Sequence, residues 1–356
     1  MVIDSHSHLY PSTDAFLDWD FATREEEARF HQRARYTFGM HMNIVRSDTG
    51  EADKDAWKIL WDENRASDWS GLKEVGFRIE GNSYVWEKDG VKYTSPGRTG
   101  DDPEKMLALM DACGVDAAVL HATMRYSRYN ARVAKKYPGR FIPLANIEEA
   151  EYGSPKGIEQ LHWAAGELGA KGIHHNPYPA LDCFQNFESE KYRPFWKEMA
   201  KLGLPVWCLS SCDIPDYPGI LEKIKKWVCD VPELVRVMVH GFPPEVYTDF
   251  GRSEKVRIPE VVKDIVGQEN FHMEFLPYAM GYYLHPKTDD MVRALYEQFG
   301  GTKFCWGSEF IKAAPPHTKE NYSRLKGYFE NVCTYMQKSD VELILGENLR
   351  RIFRLP

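Results

Sequence analysis

Eight short apolar runs rich in β-branched or aromatic residues recur along the chain, at 2–6, 116–121, 140–147, 170–174, 204–209, 235–240, 270–276 and 302–307. Each has the length and composition of a buried strand. Between them, apolar residues fall at helical spacing over Pro103–Cys113, Ser127–Lys136, Gly157–Leu168, Tyr192–Leu202, Tyr217–Val228, Ser253–Val266, Met291–Phe299 and Ser323–Gln337. A strand–helix alternation repeated this often predicts an α/β fold with a parallel sheet, and eight strands are enough to close a (β/α)8 TIM-like barrel.

Residues 9–102 break the rhythm. They are rich in Trp, Tyr, Asp and Arg, and Tyr84–Tyr93 reads as a hairpin turning at Asp89-Gly90. The expectation is one domain over 1–356, with 9–102 inserted after strand 1 and lying over the C-terminal mouth of the barrel. High aromatic content argues against disorder there.

With 45 Lys plus Arg against 53 Asp plus Glu, a net charge of -8 and no basic tract, the chain lacks the electrostatic footprint of a nucleic-acid binder. No run is long and apolar enough for a membrane span. The start, Met1-Val2-Ile3-Asp4-Ser5-His6, enters a strand pattern without the basic and apolar regions of a secretory signal, so a cytoplasmic location is expected. Seven scattered cysteines without a CxxC pair indicate neither a disulfide framework nor a zinc–thiolate site.

Chemistry gathers at the strand ends. His6 and His8 stand two apart at the end of the first strand, so both can face the interior and chelate one ion. The last strand closes beside the first and runs into Gly307-Ser308-Glu309, which supplies a carboxylate. Alternation around Ile173 turns His174 inward and His175 toward the helices. Val237 and Val239 suit the outer layer, which leaves His240 facing in. Four histidines and Glu309 therefore converge on one mouth, the place where barrel enzymes keep their sites. Trp207 and Trp306 read as core aromatics facing the helices.

Ile3-Asp4-Ser5-His6-Ser7-His8, Leu107–Asp116, Tyr137–Phe141 and Ile344–Phe353 together resemble the amidohydrolase-related superfamily, in particular its aminocarboxymuconate-semialdehyde decarboxylase branch. That resemblance implies metal ligation by His6, His8, His174 in Gly172–Asn176 and the acidic residue of strand eight. It implies a catalytic role for His240, which would handle a proton or orient a metal-bound water.

The sequence departs from the superfamily pattern in three ways. Glu309 stands where Asp is expected, Leu209 where a histidine is often seen, and strand four offers no inward lysine to bridge two ions. A smaller branch of non-haem dinuclear oxygenases, such as 2-aminoisobutyrate hydroxylase, also resembles this sequence and accommodates a glutamate. It implies two divalent ions, iron and/or manganese, with dioxygen and an external reductant, and it asks for a further ligand. Glu80 is the candidate, with Glu74 as substitute, and His175 is another; Glu309 would then share the catalytic role with His240. The leading expectation is such a monooxygenase hydroxylating a small organic substrate. The alternative is a mononuclear zinc or manganese decarboxylase or hydrolase, and a second alternative is a non-catalytic subunit paired with a related barrel or forming a homo-oligomer. Arg125, Asn176 and Tyr178 are candidate substrate-binding residues, Arg125 being suited to a carboxylate. His121 and Glu274 are polar residues near strand ends that could also reach substrate.

Overall fold

The structure, a computed structural model, describes residues 1–37, 43–61, 72–123, 125–175, 186–208, 217–248, 253, 255–276, 285–309 and 318–356. The chain divides into two compact units, one of Met1–Leu9 with Asp102–Pro356 and the other of Tyr10–Asp101.

In the smaller unit, helix α1 (Arg24–Thr37) accompanies a four-stranded antiparallel sheet of β2 (Val45–Arg46), β3 (Arg78–Glu80), β4 (Ser83–Lys88) and β5 (Val91–Pro96), ordered β2-β5-β4-β3. The expected hairpin is β4–β5. Lys88 pairs with Val91 across a two-residue turn, and Asp89 (φ 53°) and Gly90 (φ 77°) take the left-handed backbone that a type I′ turn requires. Trp86, Tyr84, Tyr93, Leu60 and Ile44 form the core of this unit, which explains its aromatic composition.

The larger unit carries an eight-stranded parallel sheet. Its strands are β1 (Ile3–Ser7), β6 (Ala117–Leu120), β7 (Phe141–Ala145), β8 (Gly172–His175), β9 (Val206–Cys208), β10 (Arg236–Met238), β11 (Phe271–Phe275) and β12 (Phe304–Trp306), in chain order across the sheet. Every expected strand is present, and the sheet curls into a nearly closed (β/α)8 barrel. Helices fill the connections: α2 (Pro103–Cys113), α3 (Ser127–Lys136), α4 (Pro155–Gly166), α5 (Arg193–Lys201), α6 (Tyr217–Asp230), α7 (Pro244–Tyr247), α8 (Glu260–Val266), α9 (Thr288–Phe299) and α10 (Lys319–Gly327). Local signals set their ends. Asp102 caps α2 by accepting from the Glu104 amide, Pro103 opens the helix, and Gly114 closes it with a left-handed φ of 66°. The helix expected over Ser253–Val266 starts only at Glu260, because Pro259 occupies the cap position.

Barrel closure depends on the seam between β1 and β12. Asp4 is fully buried in β1 and accepts from the Ser308 amide (2.9 Å), the Ser308 hydroxyl (2.5 Å) and the Tyr322 hydroxyl (2.8 Å) of α10. Gly307 permits the approach, since a Cβ there would lie 2.7 Å from Cβ of His6. The barrel floor is apolar, with Ile3, Val119, Ile142, Leu144, Trp207, Val237 and Val239 packed together. Leu349 joins this cluster, and Phe353 stacks on the Trp207 indole at 5.1 Å, so the C-terminal segment plugs the floor. No helix among the described residues is long and apolar enough to cross a membrane.

Candidate metal centre

Above the apolar floor, at the C-terminal ends of the strands, lies a buried polar cluster of His6, His8, His121, His174, His240, Glu274 and Glu309. Ile3 and His6 both line the interior although they are an odd number of residues apart. The β1–β6 register shifts between Asp4 and Ser7, and this irregularity supplies the odd step. His6 Nε2 then lies 2.9 Å from His8 Nε2 and 2.9 Å from Glu309 Oε2.

His240 reaches the cluster by a different route from the one alternation suggests. Val237 and Val239 face inward, in the floor cluster, while Arg236 points out and donates to the carbonyls of Trp227, Val231 and Leu234. The expectation of an outer position for the two valines is therefore corrected. β10 ends at Met238, and a left-handed backbone at His240 (φ 62°) turns its ring inward, where Nε2 lies 2.8 Å from Glu309 Oε2. Glu309 is itself left-handed (φ 54°), as is Arg125 (φ 44°). Three of the five non-glycine residues with positive φ among the described residues thus follow barrel strands at the mouth. Strain of about 1–3 kcal/mol per residue persists where surrounding contacts enforce it, and it clusters at working sites.

Electrostatics bind the cluster to positive charge. Burial opposes ionisation of Glu309, yet the His6 and His240 imidazoles hold its carboxyl well below the usual range. Burial likewise opposes charge on His6, but the carboxylates of Glu309 and Glu274 outweigh it and raise that imidazole to about 10. Two buried carboxylates surrounded by imidazoles are stable with a cation among them, whether a proton or a metal ion. The spacing fits a metal, because ligand atoms about 2.1 Å from one ion stand roughly 3 Å apart. His6, His240 and Glu309 form one such group of donors, and His6, His121 and Glu274 form another.

The remaining expected residues are distributed as follows. His174 lies edge-on to His121 with ring centroids 4.7 Å apart, while His175 turns to the helix layer, bonded to the Tyr152 hydroxyl (3.1 Å) and packed on Trp196. The structure does not bring His175 to the cluster. Glu80 belongs to the other unit, half-exposed, with its oxygens 2.7 Å from Arg78 and 3.0 Å from Lys92, and Glu74 there is exposed beside Arg29. Arg125 lies in the loop after β6, 3.7 Å from Glu148. Asn176, Tyr178 and Leu209 lie outside the described residues. Trp306 packs toward Tyr322 in the helix layer, but Trp207 faces inward and donates its indole N–H to Glu274 at 2.8 Å.

His121 and Glu274 have a larger part in the cluster than the sequence suggested. A signal for both exists: His121 continues the inward series Ala117, Val119, and Glu274 is a carboxylate inside the apolar run Phe271–Phe275, where only a partnered charge survives burial.

Solved structures share this architecture. A 5-carboxyvanillate decarboxylase from Sphingomonas paucimobilis is 16% identical over 73% of this chain and 85% of its own, with a TM-score of 0.53. A dihydroxybenzoic acid decarboxylase from Polaromonas sp. JS666, with bound manganese and 2-nitroresorcinol, is 16% identical over 72% and 86%, with a TM-score of 0.50. An amidohydrolase from Burkholderia multivorans with bound zinc is 12% identical over 72% and 89%, with a TM-score of 0.55. At these identities the likeness is one of fold. No curated protein matches the sequence. The amidohydrolase family pattern, however, matches residues 3–355, essentially the whole barrel and its cluster, and the chain therefore belongs to the amidohydrolase family of metal-dependent enzymes.

Proposed function

We propose that this protein is a mononuclear metal-dependent decarboxylase or hydrolase of small carboxylic acids, with decarboxylation as its principal reaction. The observation that carries the proposal is the gathering of donors around His6 Nε2 in a buried mouth, 2.9 Å from His8 Nε2 and 2.9 Å from Glu309 Oε2, with His8 Nε2 3.7 Å from Glu309 Oε1 and His240 against the same carboxylate. Three protein ligands with an open position is the pattern of a catalytic zinc or manganese. The decarboxylases and the zinc- and manganese-bound neighbours of this fold support the reading. They favour it over the dinuclear oxygenase expected from the sequence, whose further carboxylate, Glu80, is engaged by Arg78 and Lys92.

In this reading His6, His8 and Glu309 hold the ion, which when bound supplies Lewis acidity toward a substrate oxygen or a water. Arg125 exchanges Glu148 for the substrate carboxylate. As carbon dioxide departs, its bonding pair stays on the substrate carbon and a proton must reach that carbon. His240, protonated at Nε2 and held on Glu309 Oε2, is placed to deliver it. His6, His8, His240 and Glu309 are themselves buried.

The test is metal counting followed by carbon dioxide release from dihydroxybenzoates and 5-carboxyvanillate. The expected result is one zinc or manganese per chain, with release lost in His240→Asn while metal is retained. Two iron ions per chain with oxygen uptake and no carbon dioxide would refute the proposal and restore the oxygenase.

A further inference from the structure

Glu274 is the penultimate residue of β11 and is fully buried, and three N–H groups approach its carboxylate. Its Oε1 lies 2.8 Å from the Trp207 indole nitrogen, and its Oε2 lies 2.8 Å from His6 Nδ1 and 3.4 Å from the His240 amide. An indole or amide N–H only donates, so both carboxylate oxygens are used as acceptors. Glu274 therefore holds a proton on His6 Nδ1. An imidazole protonated there has its lone pair on Nε2, the nitrogen that faces His8 and Glu309.

We infer that Glu274 is a positioning residue that selects the metal-binding nitrogen of His6, and that Trp207 fixes Glu274 in turn. The inference rests on the metal site of the preceding reading. A competing role, Glu274 as a ligand together with Nε2 of His121, is opposed by the hydrogen bonding of that nitrogen. His121 Nε2 lies 2.9 Å from the Ser5 carbonyl, which only accepts, so this nitrogen carries its hydrogen; it is the same nitrogen that stands 3.7 Å from Glu274 Oε1. The His121–Glu274 edge presents an N–H where a ligand pair would need a lone pair. The chain Phe353–Trp207–Glu274–His6 thus links the barrel floor to the site, with Phe353 stacked flat on Trp207.

The experiment uses the full-length Glu274→Gln and Trp207→Phe variants, with zinc affinity measured by chelator competition and cobalt spectra recorded at saturation. An amide at 274 offers an N–H to either Trp207 or His6, both donors, and so releases the Nδ1–H form of His6. Outer partners of metal-bound histidines typically contribute 10–100-fold in affinity. The expected result is a 10–100-fold loss in Glu274→Gln, a smaller loss in Trp207→Phe, and a cobalt spectrum like that of the wild type at saturation. Zinc-loaded wild type should show a slowly exchanging Nδ1–H of His6 by nitrogen-15 NMR, and Glu274→Gln should lose it. Wild-type affinity in Glu274→Gln, or a changed cobalt spectrum, overturns the assignment. If that variant does not fold, Trp207→Phe decides, and unchanged affinity there also overturns it. A wild-type protein that binds no metal would instead overturn the proposed function.

Discussion

Gly307→Ala tests whether the β1–β12 seam holds the site together. The added methyl would lie 2.7 Å from Cβ of His6, 2.8 Å from Oγ of Ser5 and 3.2 Å from the His6 amide nitrogen. Carbon atoms settle at about 3.5–4.0 Å, so the contact with His6 is roughly 1 Å too short. The Ser5 hydroxyl can rotate away, but Cβ and the amide of His6 belong to the strand, so relief requires β1 and β12 to part. Overpacking of this kind costs about 1–3 kcal/mol. Stretching the Ser308 contacts to Asp4 weakens hydrogen bonds to a buried carboxylate, each of which contributes about 1.5–3 kcal/mol. A total near 4 kcal/mol corresponds, at about 2–4 °C per kcal/mol for a large domain, to a melting point lower by roughly 10 °C. Because His6 lies on β1 and Glu309 three residues beyond the end of β12, zinc affinity should fall in the same variant. Thermal unfolding of metal-free protein and chelator competition read the two effects. Wild-type melting with wild-type affinity would refute the role given to the seam.

Three further outcomes are expected. Burial depresses the His175 imidazole to about 3 from an ordinary 6.5, so its neutral form stabilises the fold above pH 6.5, and this contribution drains away as pH falls toward 3. The loss at pH 5 is about 2 kcal/mol, and denaturant unfolding at pH 7 and pH 5 should show a smaller drop in His175→Phe than in wild type; equal drops would contradict the reading. Glu309→Gln removes the proposed anionic ligand and the partner of His240, and it should weaken zinc binding by roughly 100-fold or more, beyond the range of outer-partner substitutions; near-stoichiometric metal in the purified variant would count against Glu309 as a ligand. Asp4→Ala strands the buried donors of Ser308 and Tyr322 and should destabilise by about 2–4 kcal/mol, at about 1–3 kcal/mol per unsatisfied group, a value that calorimetry can check.

The barrel was legible because a buried parallel strand is nearly all apolar and its helices carry sharp local signals. Asp102-Pro103 opens α2 and Gly114 closes it, and Asp89-Gly90 turns the hairpin. Alternation pointed to His174 and the adjacency of the last strand to the first pointed to Glu309, yet for His240 alternation gave the right residue by the wrong path. Left-handed backbone at a histidine depends on tertiary contacts and leaves no local trace in sequence. Trp207 shows the same limit from the other side. A tryptophan in an apolar run reads as packing until the carboxylate beneath its N–H is known, and Glu274 lies 67 residues away in the chain. Pairings of that separation are set by barrel closure, which a periodicity cannot report.

The seam also has a consequence for the order of folding. β6 to β12 pair one after another with near neighbours in sequence, so that part of the sheet can grow step by step. β1 has no such neighbour: Ile3 pairs with Ala117, and Asp4 meets Ser308 across 304 residues. It is the strand whose docking costs the most loop entropy, and it carries His6 and His8. The site should therefore assemble in the last step of folding, and on the proposed ligation an ion held by His6 and His8 would act as a clasp on the strand most prone to local opening. Hydrogen exchange with and without zinc should show the largest gain in protection along β1, and uniform protection across the barrel would argue against this order.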